Sequence, residues 1–142
     1  MIDYDQITID MAASIRTASL GFKKVIEDAG DTDFVFENCP LADVRFKRAI
    51  VQSTGQRNTW TDVIMEVEIG AYDVTNRRAS AKIRNDLIQA LQRHFQVNPR
   101  FSASVDTTMV GNVEAESVED DKQGAFIASA VCEFHVMVYT EG

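Results

Sequence analysis

Two histidines, His94 and His135, and two cysteines, Cys39 and Cys132, are by type the residues best suited to nucleophilic or metal chemistry. No two of the four stand at ligand spacing in the chain, so a metal site would have to gather them through the fold, and none is expected. Glu66 and Glu68 are two apart, which on a strand turns both carboxylates to one face. Such a pair can divide acid and base roles. On an open strand face it is more often solvated, or paired with Arg and Lys of the next strand. The chain has no Gly-rich phosphate loop, nucleophile elbow, paired-cysteine motif or His-x-x-x-His pair. These residues make no case for an enzyme, a metal or a cofactor.

The elements that hold them can be read from periodicity. Glu66 and Glu68 alternate with Val63, Met65, Val67, Ile69 and Ala71 in a half-buried strand. Ile64 falls among the polar positions, so the outer face is expected to be partly covered by a neighbouring element or another subunit. His94 lies near the end of an amphipathic helix over about 76–95. Ile83, Leu87, Leu91 and Phe95 recur every fourth residue, with Ala79, Ile88 and Ala90 beside them. Arg77, Arg78, Lys82, Arg84, Asn85, Gln89 and Gln92 take the opposite side. Asp73 or Thr75 is the expected cap, and Asn98-Pro99 the stop. Cys132 and His135 belong to the last strand, 125–140, which is apolar on much of both faces and so is placed centrally in the sheet.

The rest of the chain fills in around these. Ile7, Met11, Ile15 and Ala18 predict a helix over 4–19, with Leu20-Gly21-Phe22 as its exit. Val25 and Ile26 either begin a short strand or continue the helix. A turn cluster at 30–33 and an extended piece at 34–36 precede Cys39-Pro40. A strand over 42–52 follows, whose alternation slips between Phe46 and Val51 as at a bulge. Residues 53–58 read as a hairpin loop closed by Trp60, which either packs on the core edge or anchors a partner. A third long strand is expected at 101–109, and an acidic excursion at 110–123. The predicted fold is a single α+β domain over 1–142, a mostly antiparallel sheet covered by the N-terminal and central helices.

Composition narrows the function. At 142 residues, 45% apolar and 25% charged, the chain can bury its own core without staples. No apolar run reaches the length of a membrane span and no secretory signal is visible, so a cytoplasmic setting with reduced, buried cysteines is expected. A net charge of −8 argues against gripping nucleic acid, because phosphate neutralisation needs clustered Lys and Arg. Two basic clusters, Arg45, Lys47, Arg48 and Arg77, Arg78, Lys82, Arg84, read as solvated outer sides of a strand and a helix. An acidic surface suits a protein that lets DNA pass or docks a basic partner.

The order and texture of these elements resemble the tail terminator, or tail-completion, proteins of long-tailed bacteriophages. The resemblance lies in the N-terminal helix, the proline-led strand Pro40-Leu41-Ala42-Asp43-Val44, the strand end Glu68-Ile69-Gly70-Ala71-Tyr72-Asp73, and the helix core Leu87-Ile88-Gln89-Ala90-Leu91. A strand and an acidic crossing follow, and the closing run from Ala128 to Tyr139 completes it. It covers nearly the whole chain and contains no diagnostic motif. It implies a structural virion protein at the head-proximal end of the tail, assembled in the host cytoplasm as a homohexameric ring. Such a ring stops tube polymerisation and offers a head-joining surface. The implied partners are further copies of the chain, the tail tube protein and the head–tail connector proteins, with the tape measure protein as a further candidate. DNA would cross the lumen without specific binding, and no membrane is involved. The resemblance carries no catalytic residues.

The interface candidates are Gln56, Arg57, Asn58 and Trp60 at the hairpin, Glu66 and Glu68 on the outer strand face, and Glu114, Glu116, Glu119, Asp120 and Asp121 in the acidic excursion. Two alternatives stay open: another connector, stopper or tube ring protein of the same particle, and a small-molecule-binding α+β domain outside any virion.

Overall fold

The computed structural model describes residues 1–27, 38–53, 57–120 and 124–141. Helix α1 (Tyr4–Ala18) starts where Asp3, in extended backbone, accepts a hydrogen bond from the Gln6 amide at 3.0 Å, satisfying one of the unpaired first-turn donors. It ends at Ser19 in the left-handed conformation (φ 52°), one residue before the predicted exit. Gly21 (φ 108°) then provides a second turn of the same hand. The alternatives at Val25 and Ile26 resolve to a short strand, β1 (Lys24–Glu27), which runs parallel to the start of β2 (Leu41–Ser53).

From there the sheet is antiparallel. It comprises β2, β3 (Asn58–Asp73), β4 (Thr107–Ala115), β5 (Glu119–Asp120) and β6 (Phe126–Glu141), in the order β1-β2-β3-β6-β4, with β5 also on β6. The fold is α+β, and β6 is central as its two apolar faces predict. A register shift between Phe46 and Arg48 confirms the expected bulge. It leaves Phe46 opposite Met65 on the inner side and Arg48 opposite Ile64 on the outer side.

Both helices pack on one face of the sheet. Ile7, Met11 and Ile15 of α1 and Leu87, Leu91 and Phe95 of α2 (Arg77–Val97) meet Val63, Met65, Val67, Cys132, Phe134 and Val136. Phe95 sets its edge against Phe134 and Phe101, with centroids 5.0 and 5.5 Å away. Each large side chain so buried contributes roughly 1.5–3 kcal/mol of transfer free energy.

Three expectations need correction. The cap of α2 is Asn76, whose side chain accepts from the Ala79 amide at 2.8 Å; Asp73 instead accepts from Thr75 within the preceding turn, at 2.6 Å. Second, β3 begins at Asn58, so Asn58 and Trp60 are strand residues and do not close the loop. Third, residues 101–106 form a turn, held in part by Val105 N–H on Ser102 O at 3.1 Å, and the strand lies at Thr107–Ala115. Most of the predicted excursion therefore runs along β6, with Glu116 N–H donating to Ser129 O at 3.0 Å and β5 following. The apolar alternation misled because Phe101 and Val105 reach the core from the turn, while a register shift between Val110 and Val113 hides the strand's continuation.

One helical arginine, Arg84, departs from the solvated position expected of it. Arg84 is buried, with 9% of its surface exposed, and its guanidinium donates to Glu116 O at 2.8 Å. Arg77 donates to Val118 O and lies over the Phe126 ring. Arg77, Arg78 and Lys82 keep the exposed positions that the helical pattern assigns them, and Lys82 pairs with Asp86 at 2.9 Å.

Candidate functional site

The sheet face that the helices leave open carries most of the titratable side chains that the fold brings together. Because register puts every second residue of β2, β3 and β6 on this side, groups distant in sequence form cross-strand rows. Arg45 reaches Glu68 at 3.0 Å and the buried Asp43 at 3.5 Å. Lys47, from the bulge, lies 3.5 Å from both Glu66 and Glu133. Glu133 contacts His135 Nε2 at 3.1 Å, and His135 Nδ1 faces Asp62 at 2.8 Å. Glu66 and Glu68 are thus strand-paired carboxylates. Each exposed pair is worth about 0–1 kcal/mol, so the network orders side chains more than it stabilises the fold.

Two details shape this face. Asp62 Oδ1 is buried and has no hydrogen-bond partner among the described residues. Gly111 of β4 lies directly against His135: a Cβ built there would meet Glu133 O at 2.9 Å and His135 Cδ2 at 2.9 Å. The absence of a side chain at 111 is what lets β4 approach the histidine.

On the helical side, a groove of about 690 Å³ lies between α1, the end of α2 and the following turn. Asp10, Ser14, His94, Asn98, Arg100 and Ser102 are among its lining residues. Ser14 Oγ is 2.7 Å from His94 Nε2, the distance of a nucleophile and its base. The hydrogen bonding points the other way. The Asn98 side-chain amide donates to His94 O at 3.0 Å and faces His94 Nδ1 at 3.4 Å, which leaves Nδ1 as the acceptor. In a neutral imidazole the proton is then on Nε2, and Ser14 accepts it. Burial pushes the His94 pKa below its ordinary value, which favours the neutral ring. The contact ties α1 to α2 and does not activate Ser14. Asp10 is likewise occupied, accepting from Ser102 at 2.7 Å and Gln6 at 2.8 Å.

Both cysteines are buried, and burial pushes the Cys132 thiol up to about 12. Among the described residues no group of three His, Cys, Asp or Glu side chains could hold a metal ion. No helix among them is long and apolar enough to cross a membrane.

The predicted interface residues do not form one site. Arg57 and Asn58 stand exposed at the β2–β3 end; Trp60 is half-buried and packs on Tyr139 with ring centroids 5.0 Å apart. Glu66 and Glu68 lie in the middle of the open face. Glu114, Glu116, Glu119 and Asp120 are exposed along the opposite edge, in or beside β4 and β5. Gln56 and Asp121 fall outside the described residues. Sequence reasoning missed Asp62, Glu133, His135 and Lys47 as a cluster. Their positions on alternating outer-face sites were legible, but the strand order that joins them was not.

No family model matches the chain, and no curated protein matches it. Among solved structures it is similar to a chain that carries no descriptive name, at 8% identity and a TM-score of 0.48, covering 98% of this chain and 97% of that one. It is also similar to a chain from the virion of a native gene transfer agent particle, at 12% identity and a TM-score of 0.39, covering 89% and 84%. Neither likeness carries an argument about what the protein does.

Proposed function

We propose that the protein is a structural component of a phage-type virion, a ring-forming subunit that caps the head-proximal end of the tail tube. The observation that carries this reading is the one-sided cover of the sheet: both helices pack on one face, while the other carries a half-buried network of charged side chains with no helix over it. Joined to the order of elements that resembles tail terminators, it supports a subunit whose remaining surfaces serve other subunits. The open face also has the sign that a DNA passage needs. Asp43, Asp62, Glu66, Glu68 and Glu133 outnumber Arg45, Lys47 and Arg48 across it, so it would repel phosphate and let DNA slide. The mechanism is geometric. One ring face accepts the last tube ring, the other refuses a further tube subunit and meets the connector. On this reading the protein is not an enzyme and needs no cofactor.

Negative-stain images of the purified protein, alone and mixed with tail tubes, test it. Rings or capped tube ends are expected, with overlong, unjoined tails when a phage lacks the gene. A protein that stays monomeric under every condition, with or without tubes, sinks the reading. Association with tubes without growth arrest would instead favour a tube or stopper protein. The groove beside His94 favours the small-molecule alternative, which a ligand retained there through purification would support.

A further inference from the structure

The two edges of the sheet differ in a way that bears on how copies of this chain meet. On one side, β1 flanks β2 only along Leu41–Val44, and no other strand among the described residues flanks the distal part of β2. That distal segment is open: Arg48 and Gln52 are exposed, Ile50 is 42% exposed and Val51 63%. On the other side β4 ends the strand order, with Met109 52% and Val113 37% exposed. Four of the eight large hydrophobic residues that stand exposed among the described ones thus lie on these two strands. A long edge strand with exposed apolar side chains is what folded proteins ordinarily shield, because it is a template for strand addition.

Charge distinguishes the two edges. The β2 side exposes Arg48, with Arg57 at its tip, and the β4 side exposes Glu114 and Glu116. None of these four takes part in the ion pairs of the described residues. Direction also agrees. β2 runs antiparallel to β3, β3 to β6 and β6 to β4, so β4 points opposite to β2. A second copy in the same orientation would place its β2 beside this β4 in the antiparallel sense the sheet already uses.

Resting on the ring reading above, we propose that successive copies join head to tail, the distal β2 edge of one against the β4 edge of the next. The partner at each edge is a second copy of this chain. Because the two surfaces are different, the contact is heterologous, and it closes into a ring when the rotation between copies divides a full turn. Ile50 and Val51 lie against Met109 and Val113, and Arg48, which precedes them, against Glu114 and Glu116, which follow.

Paired charge reversal tests this. The variant Arg48→Glu and the variant Glu114→Arg/Glu116→Arg each place like charges at every contact. Either should weaken self-association by at least about tenfold, since like-charge juxtaposition costs several kcal/mol. Mixing the two restores opposite charges at both kinds of contact in an alternating ring, and combining all three changes in one chain restores them in every copy. Both should recover association, read by light scattering and negative stain, with circular dichroism unchanged throughout. If wild-type rings form and either reversed variant assembles as well as wild type, the edge pairing is wrong. The same holds if the variants fold, fail alone and are not rescued by each other. If wild type itself never assembles, the ring reading fails and takes this proposal with it.

Discussion

Gly111 shows how one missing side chain sets local geometry. A Cβ there would press on the backbone carbonyl of Glu133 and on the His135 ring, both at 2.9 Å. The ring can rotate away only by leaving Asp62 and Glu133, and the carbonyl is held in the sheet. Gly111→Ala should therefore cost roughly 1–3 kcal/mol, as overpacking does, and lower the urea midpoint; an unchanged midpoint would show that β4 yields freely. His94 supplies the pH dependence. Burial lowers its pKa in the folded state, so as pH falls below the ordinary value of about 6.5 the unfolded chain takes up its proton first. Its contribution is neutral well above that value. Stability then declines as pH drops from about 6.5 towards the lower folded-state value, and levels off below it. His94→Gln should flatten that slope in denaturation curves collected across the window, whereas an unaltered slope would assign the dependence to other groups.

At the scale of elements, α2 does more than cover the core. Its Arg84 and Arg77 reach the carbonyls of Glu116 and Val118, where the chain passes from β4 to β5. That link is why a segment rich in glutamate and aspartate stays on β6 and does not loop away. Arg84→Met keeps the volume and removes the donor, leaving Glu116 O without this partner. We expect a loss of about 1.5–3 kcal/mol, the worth of a hydrogen bond made by a charged donor. Amide hydrogen exchange should rise first around 116–120, and uniform loss of protection across the sheet would argue against the local link.

For the molecule as a whole, folding and assembly should separate. The core lies between the helices and the inner sheet face, while the charged outer face and both edges contribute little to it. Reversing Glu119 and Asp120, which are exposed on β5, should leave stability within about 0.5 kcal/mol and circular dichroism unchanged. The same change should weaken tube capping or head joining. Salt should weaken those contacts too, since exposed charges are screened beyond about 8 Å at physiological ionic strength. Normal capping by the folded variant would make these carboxylates ordinary solvated groups.

By itself the sequence determined what depends on local period. The stripe Leu87, Leu91, Phe95 marked α2, the alternation Val63, Met65, Val67 marked the inner face of β3, and the two apolar faces of 125–140 placed β6 in the centre. Each is a repeat within one element, and burial of one face enforces it whatever the neighbours are. The tertiary structure decided what depends on which elements meet. Asn76, and not Asp73, caps α2 because the chain reaches extended backbone just before Arg77. The strand after α2 starts at Thr107 because its pairing with β6 outweighs a loose alternation from Phe101. Arg84 is buried because the β4–β5 passage lies beneath its helical face, which no helical wheel reveals. Asp62, His135, Glu133, Lys47 and Glu66 form one network only because β2, β3 and β6 stand side by side in register. Apart from the Glu133–His135 contact, these pairs join residues far apart in the chain, so their partners are set by strand order and not by any spacing along it.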